Sequence, residues 1–176
     1  IENQSHNEAD EPTPRVPLTV VASQSALGVL VGRIAFIGAA LVAPRAAGPA
    51  VLRPGSTPVL ADAASRTPGC PCCAVRLDLV GAVERVVQRR GRPDHVIVAI
   101  DLDAPAGRDV VTAVYTVLSD PDLARLVRLD GVVVAVDPVA IATRLSVGVA
   151  PFAHHEVEAL AIADRLVVGR AGAVTG

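Results

Sequence analysis

Two short, unbroken runs of apolar residues constrain the fold of this chain more than any other feature. The runs occupy residues 95–100, where one histidine precedes five apolar residues, and 131–136, and β-branched residues dominate both. Such a pattern is typical of a strand buried on both faces, whereas a strand with one solvated face alternates between apolar and polar residues. Helical periodicity appears elsewhere, for example at Leu77, Val80 and Val83. Strands of this kind alternating with amphipathic helices predict an α/β fold in three layers, a parallel β-sheet flanked by helices.

The remaining elements are predicted from the same patterns. Strands are expected at residues 16–22, 95–100, 131–136 and 165–168, and residues 44–68 are expected to form a loop with a short strand at 50–53. Helices are expected at 23–43, near 74–87, at 109–118, from Pro121, from Pro138 to about 145, and at 154–163. Ser23 is expected to cap the first helix. Right-handed crossovers then put the functional loops at the carboxyl ends of the strands.

The chain is most simply one domain. Its 176 residues suffice to bury a core. Residues 1–15 are polar and acidic and predict a disordered tail, followed by a single domain at 16–176. The chain contains no methionine and stops abruptly after Thr175. We therefore expect a fragment or a trimmed gene product.

Charge and hydropathy argue against two classes of partner. A formal net charge of −2 and an isoelectric point near 6.1 do not suit a nucleic-acid-binding surface. The most apolar long stretch, residues 27–43, carries Arg33 and is too short to span a membrane, and the start of the chain does not resemble a signal peptide. Thiols without bridging partners fit the cytoplasm. We expect a cytoplasmic protein without a membrane or direct nucleic-acid partner.

All three cysteines of the chain, Cys70, Cys72 and Cys73, lie within the segment Gly-Cys-Pro-Cys-Cys at 69–73. Adjacent cysteines form only strained disulfides, and a third thiol would be left over. Three thiolates make most of a tetrahedral site for a soft metal, usually zinc. The alternative is that they are small buried apolar residues, but core cysteines rarely gather behind a glycine and around a proline. We predict that the three cysteines bind a metal.

The fourth ligand of this site is left open by the sequence. His154-His155-Glu156 offers suitable donors, although exposed polar residues at the start of a helix are ordinary. His6 and Glu8 are a second possibility, since a mobile tail could fold over the metal.

Four segments, in this order, resemble the CobW family of P-loop GTPases, which are metal chaperones and metal-homeostasis proteins. Residues 16–21 resemble the family's first strand, and 69–80 its Gly-Cys-x-Cys-Cys-x-x-Arg-x-Asp-Leu signature. Residues 129–137 and 163–168 resemble two later strands. The resemblance covers about 16–170. It implies a P-loop NTPase-like GTPase domain without the family's C-terminal domain, and Zn²⁺ or Co²⁺ as the metal.

The nucleotide-binding motifs of that family are degenerate here. A phosphate loop needs glycines, a lysine for the terminal phosphates and a hydroxyl for Mg²⁺. At residues 23–30 only Gly28 fits, because Val29 and Leu30 stand where lysine and threonine belong. Residues 169–172 replace the guanine-reading motif. We expect GTP and Mg²⁺ to bind weakly or not at all, with Gly28 as the remaining cofactor-binding residue.

Three carboxylates at strand ends are further candidates. Asp101 and Asp103 stand where the family has its switch region, and could hold Mg²⁺ or simply be solvated loop residues. Asp137 is either a site carboxylate or the cap of the helix that Pro138 begins.

Together, the residues and the resemblance predict a metal-binding protein of zinc or cobalt homeostasis and metal delivery with a degenerate nucleotide site. Whether it is an enzyme stays open, because an active GTP-hydrolysing metallochaperone with an unusual phosphate loop is the first alternative. The second alternative is a non-enzymatic interaction module, for example one associated with the ribosome under zinc limitation. The expected partners are a metal ion and either a client metalloprotein or the ribosome.

Overall fold

The structure is a computed structural model that describes residues 13–23, 39–44, 59–61, 71–88, 92–102 and 110–169. The strands are β1 (Val16–Ser23), β2 (Ala39–Pro44), β3 (Val59–Ala61), β4 (His95–Asp101), β5 (Val127–Val136) and β6 (Arg165–Val168). They form one sheet in the order β3-β2-β4-β1-β5-β6, and every neighbouring pair is parallel. The helices are α1 (Pro71–Val87), α2 (Val110–Ser119), α3 (Pro121–Leu126), α4 (Pro138–Ser146) and α5 (His154–Ala161).

The core is centred on β1, the strand between β4 and β5. Val20, Val21 and Ala22 are fully buried. Successive side chains of a strand point to opposite faces, so both faces of the sheet are covered here. Val83 of α1 and Val114 of α2 belong to the same buried cluster as the strands. The predicted three-layer α/β architecture with a parallel sheet is confirmed.

The predicted helix at 23–43 is wrong over its last residues. Residues Ala39–Pro44 form β2, whose Leu41 and Val42 are buried and pair with Ile97 and Val98 of β4. A short run of alanine, leucine and valine suits either a buried helix or a buried strand, and the parallel pairing decides the outcome. The rest of that predicted helix and the strand expected at 50–53 lie outside the described residues.

Ser23 is the last residue of β1, and the start of the helix that it was expected to cap lies outside the described residues. The segment expected to be a loop contains β3 at Val59–Ala61, which extends the sheet beside β2. The helix expected near Ala74 begins at Pro71, and proline suits a first helical position because its missing N–H has no partner there. The other predicted strands and helices are confirmed with ends shifted by a few residues, the largest shift being the start of β5 at Val127.

Two helices begin at Asp-Pro pairs, as predicted. Asp120 caps α3 by accepting hydrogen bonds from the backbone N–H groups of Asp122 (3.1 Å) and Leu123 (3.3 Å). Asp137 caps α4 by accepting from Val139 N at 2.8 Å. In the described ranges no helix is long and apolar enough to cross a membrane.

Candidate functional site

The carboxyl ends of the three central strands meet at one edge of the sheet. Ser23 at the end of β1 is in register with Asp101 of β4 and with Ala135 of β5. Beyond the ladder, Leu102 N donates a hydrogen bond to Ser23 O at 2.9 Å. Open α/β sheets bind ligands outside this edge, in the loops that follow the strands. We refer to it as the carboxyl edge.

Ser23 brings a buried hydroxyl to the carboxyl edge. The residue is fully buried, and its Oγ has no hydrogen-bond partner among the described residues. Buried polar atoms of native proteins are nearly always paired, and an unpaired one costs about 1–3 kcal/mol. Ser23 begins the segment that resembles a phosphate loop. The remainder of that segment, with Gly28, Val29 and Leu30, lies outside the described residues.

The cysteine segment lies at the beginning of α1. Cys72 and Cys73 belong to the first turn of this helix, while Cys70 lies outside the described residues. The helix connects two parallel strands, β3 and β4, so it runs back from the carboxyl edge and its beginning lies there. Fold topology therefore brings Cys72 and Cys73 to the same edge as Ser23 and Asp101.

The side chains of the described residues contain no group of three His, Cys, Asp or Glu residues that could hold a metal. The predicted ligand set Cys70, Cys72 and Cys73 stays a prediction. The same holds for Asp103 and for the tail residues His6 and Glu8, which lie outside the described residues.

His155 is attached to the carboxyl edge. Its Nε2 lies 2.9 Å from the backbone oxygen of Leu102, the residue that follows β4. A carbonyl oxygen only accepts, so Nε2 carries the proton and donates it, and Nδ1 of the neutral ring keeps a lone pair. This contact holds the start of α5 against the end of β4. The sequence pattern did not predict it.

The two neighbours of His155 have other roles. His154 is 89% exposed at its side chain and lies 3.2 Å from Glu158 Oε1, one helical turn away. Glu156 is 2% exposed, and its Oε2 accepts from Arg144 Nη1 at 2.6 Å and from Ala153 N at 2.5 Å. Glu156 thus links α4 to α5 and satisfies an N–H group at the start of α5, as one half of a capping box does.

Two further side chains hold the sheet together. His95 Nε2 lies 2.8 Å from Thr19 Oγ1, which links β4 to β1 and gives His95 a structural role. Asp164 Oδ2 accepts from Val132 N at 2.7 Å, and Asp164 N donates to Val132 O at 2.9 Å. Asp164 therefore sets where β6 starts beside β5. Asp137 caps α4, which is one of the two roles that the sequence allowed for it.

The chain resembles known proteins in its sequence. A family model described as the CobW/HypB/UreG nucleotide-binding domain matches residues 59–175. A curated relative, the zinc chaperone CobW of a Sinorhizobium species, is 31% identical over 103 residues, which are 58% of this chain and 27% of the relative. The chain thus spans well under half the length of this relative.

Among solved structures, the Zn(II)-bound YjiA GTPase from E. coli aligns with a TM-score of 0.49 and 16% identity, over 89% of this chain and 49% of that chain. The family model covers more than half of the chain, including the cysteine segment and the strands β4, β5 and β6. The chain belongs to the CobW/HypB/UreG family of nucleotide-binding domains.

Proposed function

We propose that this chain binds a soft divalent cation, zinc or cobalt, as cargo and delivers it to a client metalloprotein. The observation that carries the proposal is the cysteine segment at the beginning of α1. All thiols of the chain lie in residues 70–73, and the crossover puts this end of α1 at the carboxyl edge. Three thiolates fit the ligand preference of zinc. The zinc chaperone among the relatives supports the choice of cargo.

An incomplete ligand set suits a protein that hands its cargo over. Structural zinc sites are closed by four protein ligands, whereas a site with an open position can accept a ligand from elsewhere. Three cysteines leave such a position open. A client ligand entering there would begin the transfer without prior loss of a thiolate.

His155 is our proposed occupant of this fourth position in the loaded state, and an incoming client ligand would displace its neutral imidazole rather than a thiolate. Ligating histidines usually donate their second ring N–H to a carboxylate or a backbone carbonyl, which sets the ring orientation. The bond from His155 Nε2 to Leu102 O has this form and leaves Nδ1 available. His155 also lies at the carboxyl edge, where α1 begins.

Metal content of the purified chain tests the cargo site. We expect about one zinc ion per chain by elemental mass spectrometry, and almost none when Cys70, Cys72 and Cys73 are all replaced by serine. His155→Ala should weaken zinc binding by about tenfold in a competition with a chelating dye, because a ligand is lost but three remain. His154→Ala is the matched control, since that imidazole is solvent-exposed and pairs with Glu158. Unchanged stoichiometry in the triple serine variant would show that the cysteines do not hold the metal.

We also infer that nucleotide binding is weak. Binding of the nucleotide phosphates depends on backbone N–H groups, a lysine ammonium group and a Mg²⁺ ion. Val29 supplies no charge and Leu30 no metal ligand, while Gly28 alone retains the loop pattern. Calorimetric titration with GTP and Mg²⁺ should give no saturable heat in the micromolar range.

An active GTP-hydrolysing metallochaperone is the second candidate. The matching family model describes a nucleotide-binding domain, and the unpaired Ser23 hydroxyl lies where the phosphate loop would begin. Micromolar GTP binding accompanied by phosphate release would favour this candidate over the first. Val29→Lys combined with Leu30→Thr should increase GTP affinity if the loop retains its backbone geometry.

A further inference from the structure

Three arginines gather at the amino ends of the central strands. Arg15 directly precedes β1, Arg92 lies shortly before β4, and Arg125 is in the last turn of α3, before β5. The spatial order β4-β1-β5 brings these distant sequence positions together. They line a cleft of about 660 Å³ with Thr13, Pro14 and Leu126, at the edge of the sheet opposite Ser23 and Asp101. We call it the arginine cleft.

Few of the guanidinium donors in the cleft bond to residues that the structure describes. Arg92 Nη2 donates to Pro14 O at 2.7 Å and to Leu126 O at 3.4 Å. Arg15 Nη1 donates to Ala124 O at 3.4 Å. A guanidinium has five N–H donors, so Nε and Nη1 of Arg92 and most donors of Arg15 make no hydrogen bond to the residues that the structure describes. Contacts with carbonyls at the end of α3 help to hold these two side chains in place.

The cleft has no counter-charge among the described residues. No carboxylate there lies within 4.0 Å of the guanidinium nitrogens of Arg15, Arg92 or Arg125. The guanidinium of Arg125 also makes no hydrogen bond to the part of the chain that the structure describes. Hydrogen bonds to the α3 carbonyls account for the positions of the Arg15 and Arg92 side chains. The guanidinium of Arg125, which lies beside them, makes no such bond. Such a cluster is notable in a chain whose net charge is −2.

We propose that the arginine cleft binds a small molecule that carries two or more phosphate or carboxylate groups. Planar guanidinium groups bind both kinds of oxyanion in bidentate fashion, and such charge-assisted bonds are about twice as strong as neutral ones. The volume of about 660 Å³ falls in the range of small-molecule sites. The available donors of Arg15 and Arg92 and the entire guanidinium of Arg125 hold the anionic groups, with Thr13 beside them. This site is independent of the metal cargo and of the carboxyl edge.

Calorimetric titration of the full 176-residue chain with pyrophosphate and, separately, with citrate tests the proposal. Both anions should be compared on the unmodified chain, Arg125→Gln, Arg15→Gln and Arg165→Gln. The last variant is the matched control, because Arg165 is exposed on the edge strand β6 and its loss changes the net charge equally. The Arg125 side chain makes no hydrogen bond or ion pair to a described residue, so its replacement should preserve the fold, and circular dichroism melting checks this for each variant.

We expect saturable binding of at least one anion, weakened about tenfold or more by Arg125→Gln and by Arg15→Gln, and changed less than about twofold by Arg165→Gln. Binding of pyrophosphate alone identifies a phosphate ligand, and binding of citrate alone identifies a polycarboxylate. Absence of saturable binding of either anion below about 10 mM would overturn the proposal. Equal weakening in Arg125→Gln and Arg165→Gln would overturn it too, because the effect would then reflect net charge.

Discussion

Replacement of Glu156 by alanine should destabilise the protein strongly, because this buried carboxylate joins two helices. Glu156 Oε2 accepts from Arg144 Nη1 at 2.6 Å and from Ala153 N at 2.5 Å. The side chain of Glu156 is 2% exposed and that of Arg144 is 30% exposed. The alanine variant removes the counter-charge of Arg144 and the acceptor of the N–H of Ala153, the residue that precedes α5.

The expected cost follows from these exposures. Removal of one partner of a buried ion pair costs about 3–5 kcal/mol. Arg144 is partly exposed and can regain water, so the lower end, about 3 kcal/mol, applies. For a chain of this size that corresponds to a fall in melting temperature of about 6–12 °C. Glu156→Gln keeps an oxygen for Ala153 N and loses only the charge, so it should cost about half as much.

Urea unfolding followed by circular dichroism measures the free energy of unfolding of each variant. The control is Glu158→Gln, which alters a carboxylate that is 47% exposed and pairs with an exposed histidine. That change should cost less than about 0.5 kcal/mol. A loss below about 1 kcal/mol for Glu156→Ala, or equal losses for Glu156→Gln and Glu158→Gln, would refute the assigned role of this ion pair.

Three smaller predictions concern a cap, a turn and an edge strand. Asp120→Ala should lower the free energy of unfolding by about 1–2 kcal/mol, because two N–H groups of α3 lose their acceptor. Asparagine can also accept at this position, so a smaller loss for Asp120→Asn would identify the cap as the cause. Gly148 has φ of 71°, so Gly148→Ala should lower the free energy of unfolding by about 1 kcal/mol. Gly169→Ala should be nearly neutral, because an added Cβ meets nothing within 4 Å there and the φ of Gly169 is not in the positive range. Equal losses in the two variants would contradict the conformational argument. Leu166 is 55% exposed on the edge strand β6, so Leu166→Arg should change the free energy of unfolding by less than about 0.5 kcal/mol, and a loss above about 1 kcal/mol in urea unfolding would show that this side chain is packed.

The central strands and the Asp-Pro helix starts could be predicted from the sequence because their causes are local. Residues 96–100 and 132–136 are apolar at successive positions and rich in valine and isoleucine, which is typical of a strand covered on both faces. Asp120 and Asp137 each stand before a proline, and both cap the helix that follows. The cysteine segment is equally local, since the proposed ligands are neighbours in the chain. Its metal remains a proposal.

Tertiary structure decided the features that depend on partners far away in the chain. Residues 39–44 are a strand because β4 supplies hydrogen bonds to them, and no local pattern of alanine, leucine and valine reveals such a partner. His155 contacts a carbonyl 53 residues away, so its tie to the carboxyl edge could not be found from its place at a helix start. The arginine cleft exists because a parallel sheet gathers the amino ends of β1, β4 and β5 at one edge. The sequence by itself determined that the central strands are buried, because a long run of successive apolar residues needs cover on both faces. Only the tertiary structure decided which polar groups meet, because those contacts depend on strand order.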